Sequence, residues 1–371
     1  MMQFARVFAL SFVLCIGLLF LPFSGRAQVV NAGRPLDVVF CLDLSGSTNG
    51  LLTDVRDNLW LIANELDQMS PRPALRIGVV GFSRPSFGKN NAYVKVLCEL
   101  TNHLDHIAAE LYKLKPSIEK GDQIVSAALN AGINEMAWTK EEQATKIIFV
   151  VGNGMVTANG YEYVKSCEEA VAKNIIVNSV YVMKSNWFKE ISGWRRIATI
   201  SGGMQMEVTI NKKDPISIWK CDWKALSKVN TQMNGTFMWT GNDSSSCRKD
   251  LATADSGAFY AGMESFCHRL YYKSSDRFLS AIRHCDLYYK VDNNAALEVS
   301  PEQDVIHEKS SFDQRIEALS RIRNEKLSQA RELLSDLPPK DLFNQYSSSD
   351  FFDDGIFHRI ILKVIMKQWK S

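Results

Sequence analysis

Between residues 36 and 208 short apolar runs alternate with amphipathic stretches of helical length, and this alternation limits the fold more than any other feature of the chain. Strand-like segments are expected at 37–43, 75–82, 92–97, 146–151, 175–182 and 204–208. Helix-like segments lie between them at 51–69, 104–114, 122–136, 162–173 and 188–200. In the first of these, Leu52, Val55, Leu59, Ile62, Ala63 and Leu66 share one face. Strands alternating with helices of this length predict an α/β fold, a doubly wound and mostly parallel six-stranded sheet with helices on both faces. The link from 82 to 92, with Pro85 and Gly88 inside it, is too short for a crossover helix, so the third strand is expected to run antiparallel at an edge.

The character changes after residue 208. Helices are expected at 214–229, 258–291, 312–337 and 354–370, with polar loops at 241–257 and 292–311 and a stop at Pro338-Pro339. The expected organisation is therefore a sheet domain at 35–210 followed by a helical C-terminal region at 211–371. Ahead of both, Arg6 precedes an apolar run at 7–23, and Ser24-Gly25-Arg26-Ala27 places small residues around a cleavage point. Residues 1–27 read as a signal peptide cut after Ala27, followed by a short tail at 28–34, and the protein is expected to be secreted or periplasmic. An uncleaved anchor is the alternative, because the run approaches the ~20 residues that span a bilayer.

Charge and cysteine count then take their meaning from the mature chain. The full sequence has 43 basic and 41 acidic residues and eight cysteines. Cleavage removes Arg6, Arg26 and Cys15, leaving charges balanced and seven cysteines. Nothing in that balance favours nucleic acid. Nor is there a nucleotide loop: Thr157 stands where the last glycine of a Gly-x-Gly-x-x-Gly run starting at Gly152 would be, and no Gly-Lys-Ser/Thr occurs. Among Cys221, Cys247, Cys267 and Cys285 disulfides are expected, with three pairings open. The mirrored pairs Cys267-His268 and His284-Cys285 could also make a soft metal site, but adjacent residues on one helix point about 100° apart. Cys41, mid-strand, is expected to be a buried free thiol. His103 and His106, three apart, read as a surface or partly packed pair.

The chemistry concentrates where the first strand ends, in Asp43-Leu44-Ser45-Gly46-Ser47. One carboxylate and two hydroxyls spaced by two along a turn can converge above the strand, and all are hard oxygen ligands of the kind Mg²⁺ prefers. This strand and its Asp-x-Ser-x-Ser run resemble a von Willebrand factor type A (vWA) domain with its metal-ion-dependent adhesion site, over roughly residues 35–210. The family usually supplies a further Thr and a further Asp. Here Lys120-Gly121-Asp122 and Gly152-Asn153-Gly154 stand at those places, similar to a bacterial secreted branch of the family. Asp122 with Asn153 keeps the charge that Thr with Asp would carry.

The resemblance implies strand order 3-2-1-4-5-6 and one divalent ion, Mg²⁺ or else Mn²⁺ or Ca²⁺, held by Asp43, Ser45, Ser47, Asp122 and Asn153. Gly46, Gly121 and Gly152 would shape the loops. It also implies a protein partner whose Asp or Glu carboxylate fills the open position, and a binding protein rather than an enzyme. A metal-independent envelope assembly module is the alternative. A hydrolase with chemistry in the C-terminal region is a third, for which no nucleophile–base pair stands out. The last helix, with Ile356, Phe357, Ile360, Ile361, Val364 and Ile365 opposite Arg359, Lys363, Lys367 and Lys370, could lie on a membrane surface or dock on its own domain.

Overall fold

The computed structural model describes residues 33–48, 50–115, 124–154, 156, 162–183, 191–211, 221–286, 305–335 and 355–370, with side chains in the last two segments from 314 and up to 369. Gly33–Ser371 forms one compact unit. The expected signal peptide, Gly121 and Asp122 lie outside the described residues.

Six strands build the sheet: β1 (Pro35–Asp43), β2 (Ala74–Phe82), β3 (Lys95–Thr101), β4 (Thr145–Gly152), β5 (Ile175–Met183) and β6 (Gln205–Thr209). Their order is β3-β2-β1-β4-β5-β6, and every pair is parallel except β2 with β3. The expected topology is therefore present, including the antiparallel edge. That edge strand starts later than its apolar pattern suggested, at Lys95. Ala92 and Tyr93 have φ of 51° and 59°, a left-handed turn that cannot belong to a strand.

Alternation along β1 divides the core in two. Val38, Phe40 and Leu42 point to one face, where α1 (Leu51–Asp67) and α2 (Leu104–Lys113) pack. Val39 and Cys41 point to the other, against α3 (Val125–Asn134), α4 (Tyr163–Ala172) and α5 (Ser192–Ile200). Cys41 is a buried free thiol whose pKa burial pushes well up, and Cys98 and Cys167 are also free.

The helical region contains α6 (Trp223–Asn234), α7 (Ser244–Ala261), α8 (Met263–Lys273), α9 (Asp276–Ala281), α10 (Val305–Leu333) and α11 (Phe357–Lys370). Three expectations need correction, the first being the loop at 292–311, since α10 already begins at Val305. Residues 241–257 are not a loop: most of them form α7, whose buried face carries Cys247, Asp250, Leu251, Ala254, Asp255 and Ala258. Its acids hide the helical pattern and find cationic partners in space. The helix expected at 258–291 is likewise broken: among the described residues it comprises the end of α7, then α8 and α9, with breaks at Gly262 and Ser274.

Buried charge fastens the two regions together. The Arg269 guanidinium, fully buried, makes paired bonds of 2.7 and 2.8 Å to Asp105 of α2, and a third of 2.9 Å to Asp255 of α7. Its face lies 4.5 Å from the Trp60 ring of α1. Lys273 reaches Asp255 and Asn230, each at 2.7 Å. On α10 the buried stripe runs through Ile316, Arg323, Leu327, Ala330 and Leu334, whereas Ile322 is exposed. Arg323 is accepted there because Asp286 lies 2.5 Å from its Nη1 and Thr236 Oγ1 3.0 Å from its Nε.

The four C-terminal cysteines pair as Cys221–Cys267 and Cys247–Cys285. The apolar face of α11 docks on its own sheet: Ile360, Ile361, Val364 and Ile365 share one core with Val180, Val182, Met206 and Val208. Among the described residues no helix is long and apolar enough to cross a membrane.

Candidate metal centre at the end of the central strands

In a doubly wound sheet the crevice forms where strand order reverses, outside the strands' carboxyl ends. Here the reversal falls between β1 and β4, whose register pairs Leu42 with Val151, so Asp43 emerges beside Gly152 with Asn153 next along the chain. The approach is close: a Cβ on Gly152 would lie 2.7 Å from Asp43 Cβ, so only glycine fits there without displacement.

After Asp43 the chain turns at once into a single 3₁₀ turn, Gly46–Thr48. Asp43 Oδ1 accepts the Ser45 N–H at 2.9 Å, and the Thr48 hydroxyl donates to the Asp43 carbonyl at 2.7 Å. Ser45 Oγ and Ser47 Oγ are 2.8 Å apart, and Ser47 Oγ donates to Asn153 Oδ1 at 3.0 Å. Four of the five expected ligands, Asp43, Ser45, Ser47 and Asn153, thus share one rim. The fifth, Asp122, lies outside the described residues.

Asp43 is fully buried. Burial pushes its carboxyl up from 3.8 to about 6, opposed by bonds from Ser45 and from the Asn153 backbone. A buried carboxylate held against that cost is a place where a cation is favourable. Ser83 was missed from the sequence. It follows β2 directly, is fully buried and has φ of 67°, and its place beside the end of β1 was the only available signal. Thr48, which ties the loop back to Asp43 and Ser45, was missed as well.

Next to this rim is a cleft of about 630 Å³ whose walls include Arg84, Lys95, Lys113 and Lys115. Arg84 connects the two, since its Nε donates to the Leu44 carbonyl at 3.1 Å.

A six-stranded sheet of this order, with one antiparallel edge and helices on both faces, is the vWA fold. Residues 37–211 match the family model described as the von Willebrand factor type A domain. That family often mediates contacts between proteins. Similar solved structures include an aerotolerance-related membrane protein from Bacteroides fragilis with multiple mutations to serines (20% identity, 47% of this chain and 91% of that one, TM-score 0.34). Another is the conserved hypothetical protein BatB from Bacteroides thetaiotaomicron (18% identity, 47% and 90%, TM-score 0.35). A third is proximal thread matrix protein 1 from the mussel byssus (15% identity, 50% and 44%, TM-score 0.36). No curated protein matches.

Proposed function

We propose that the protein binds a partner protein through one divalent cation, Mg²⁺ or a similar hard ion, at the rim made by Asp43, Ser45, Ser47 and Asn153, with Asp122 as a further ligand. The observation that carries this is the spacing of the oxygens. Adjacent ligands of an octahedral Mg²⁺ with bonds of 2.0–2.1 Å stand about 2.9 Å apart. Ser45 Oγ to Ser47 Oγ is 2.8 Å and Ser47 Oγ to Asn153 Oδ1 is 3.0 Å. The donors are all oxygens, and the buried Asp43 carboxylate supplies the charge. A partner's Asp or Glu carboxylate would complete the shell. The cleft lined by Arg84, Lys95, Lys113 and Lys115 would favour acidic residues flanking it.

Binding rather than catalysis is the role assigned. The variant ligand set, with Asn153 in place of an acid, is assigned to the bacterial secreted branch. We place the protein outside the cytoplasm, secreted or periplasmic; two disulfides in the helical region support an oxidising compartment. Calorimetric titration with Mg²⁺ tests the site: one ion should bind the wild type and none Asp43→Ala. Equal binding by both, or by neither, would reject it.

A metal-independent assembly module is the second possibility. What favours it is the chain of hydrogen bonds from Ser45 through Ser47 to Asn153, which ties the loop after β1 to the end of β4. In that case EDTA would change neither stability nor partner capture.

A further inference from the structure

Nitrogen and sulfur ligands from three distant parts of the chain meet at a second place, and none belongs to the Asp43 loop. A ring nitrogen of His103, a ring nitrogen of His284 and Cys247 Sγ all lie within 4.8 Å of one another. His103 is the N-cap of α2, Cys247 sits in the first turn of α7, and His284 follows α9. Cys285, bonded to Cys247, is the fourth member. His284 and Cys285 lie in a turn rather than a helix, which removes the angular obstacle expected of adjacent helical residues.

The imidazoles are prepared as ligands. His284 Nδ1 donates to the Ala281 carbonyl at 3.0 Å, and that tautomer leaves Nε2 as a lone pair. Nε2 faces the sulfurs, 3.6 Å from Cys247 and 3.7 Å from Cys285. His103 is only 9% exposed, and its buried Nε2 has no hydrogen-bond partner among the described residues. An orphaned buried nitrogen needs a reason. Burial also lowers the His103 pKa, favouring the neutral form that a metal binds. His106 stands apart from this set, because its Nδ1 is paired with Asp250 at 2.9 Å.

We propose that opening the Cys247–Cys285 disulfide creates a Cys₂His₂ site for one Zn²⁺-like cation, held by Cys247, Cys285, His103 and His284. In a tetrahedral site with Zn–S near 2.3 Å and Zn–N near 2.0–2.1 Å, nitrogen and sulfur stand about 3.6 Å apart. The two N–S separations already match that edge, and cleavage frees the sulfurs to part to about 3.8 Å. Disulfide sulfur is not thiolate, so the oxidised cluster offers only two imidazoles. The reductant is an external dithiol. Its two thiols give up two electrons and two protons and close a disulfide of their own, while the Cys247–Cys285 bond breaks to two thiols. The cation then displaces both thiol protons to solvent. The exchange has a structural result: a cross-link confined to the helical region is replaced by one that also grips α2 of the sheet domain.

Co²⁺ is a suitable probe, titrated into the full mature chain after reduction with a phosphine and a free-thiol count. One equivalent should raise a thiolate-to-cobalt charge-transfer band and tetrahedral d–d bands, displaced by Zn²⁺ and absent from the oxidised protein. Co²⁺ bound by oxygens at the Asp43 rim gives no thiolate band, so Asp43→Ala should leave the signal intact. His284→Ala, at an exposed position, should weaken binding at least about tenfold while native circular dichroism is kept. Cys247→Ser should abolish the band although Cys221 and Cys267 remain. The proposal is overturned if no band appears once the thiols are counted as free. It is equally overturned if the band survives at full strength in either His284→Ala or Cys247→Ser.

Discussion

Replacing Asp43 by Asn separates what this residue costs the fold from what it does for a cation. The side chains are nearly isosteric, and Asn can still accept the Ser45 N–H that now bonds Oδ1 at 2.9 Å. What changes is charge. Burial lifts the Asp43 carboxyl from 3.8 to about 6, so its proton is bound more tightly in the folded chain than in the unfolded one. Stability tied to the neutral form is fully present below about pH 4 and is lost as pH rises through about 6. Since one pKa unit is worth 1.36 kcal/mol, the ionised carboxylate costs on the order of 3 kcal/mol above pH 7. With EDTA at pH 8, Asp43→Asn should therefore be more stable than wild type by about 2–3 kcal/mol, and near pH 4 the two should converge. Mg²⁺ closes the gap: at a hundred times its dissociation constant it should return about 2.7 kcal/mol to the wild type and nothing to the variant, bringing the two level. Urea unfolding at pH 4 and pH 8, with EDTA or with Mg²⁺, reads all four values. A variant less stable than wild type in EDTA at pH 8 would refute the reasoning. So would an equal gain from Mg²⁺ in both proteins.

Three other perturbations probe separate parts of the molecule. Asp105→Ala leaves the buried Arg269 without its paired acceptor and should cost about 3–5 kcal/mol in denaturant unfolding, far more than an exposed ion pair would. Gly152→Ala sets a methyl group 2.7 Å from Asp43 Cβ; a loss of about 1–3 kcal/mol is expected, together with loss of the Mg²⁺ response in calorimetry. Glu65 on α1 is 1% exposed, its Oε2 has no hydrogen-bond partner among the described residues, and burial lifts its pKa from 4.5 to about 7. Ionising it therefore costs stability as pH rises through about 7, so Glu65→Gln should gain up to about 3 kcal/mol over wild type at pH 9 and little at pH 4, as measured by thermal melts.

The sheet was readable because its physics is local. Apolar runs such as Val38 to Leu42 and Ile147 to Val151 bury both faces, and the short stretch before β3 leaves no room for a crossover. The Asp43 turn was readable for the same reason, since its carboxylate and hydroxyls lie within five residues. What escaped depends on partners far away in sequence. Helix α7 looks polar because Asp250 and Asp255 occupy its buried face, and His106, Arg269, Lys273, Asn230 and Asn234 make that acceptable. Arg323 takes a core position although its neighbour Ile322 is the apolar residue, because Asp286 and Thr236 wait opposite it. Ser83 joins the candidate site through strand adjacency alone, which no spacing in the chain encodes.

The docking of α11 on the sheet also sets the order in which this protein can be completed. Asn178 of β5 and Gln368 exchange side-chain hydrogen bonds at 2.8 and 3.1 Å, and the Thr209 N–H donates to the Gly355 carbonyl at 2.9 Å. The ribosome finishes β6 at Thr209 well before it reaches the helix that covers β5 and β6. At 5–20 residues per second the wait is roughly 7–30 s, during which Val180, Val182, Met206 and Val208 lack their native cover. A nascent chain stalled or cut before residue 355 would carry the whole Asp43 rim on a sheet with one apolar flank open. Such a chain should be a client for chaperones rather than a working fragment.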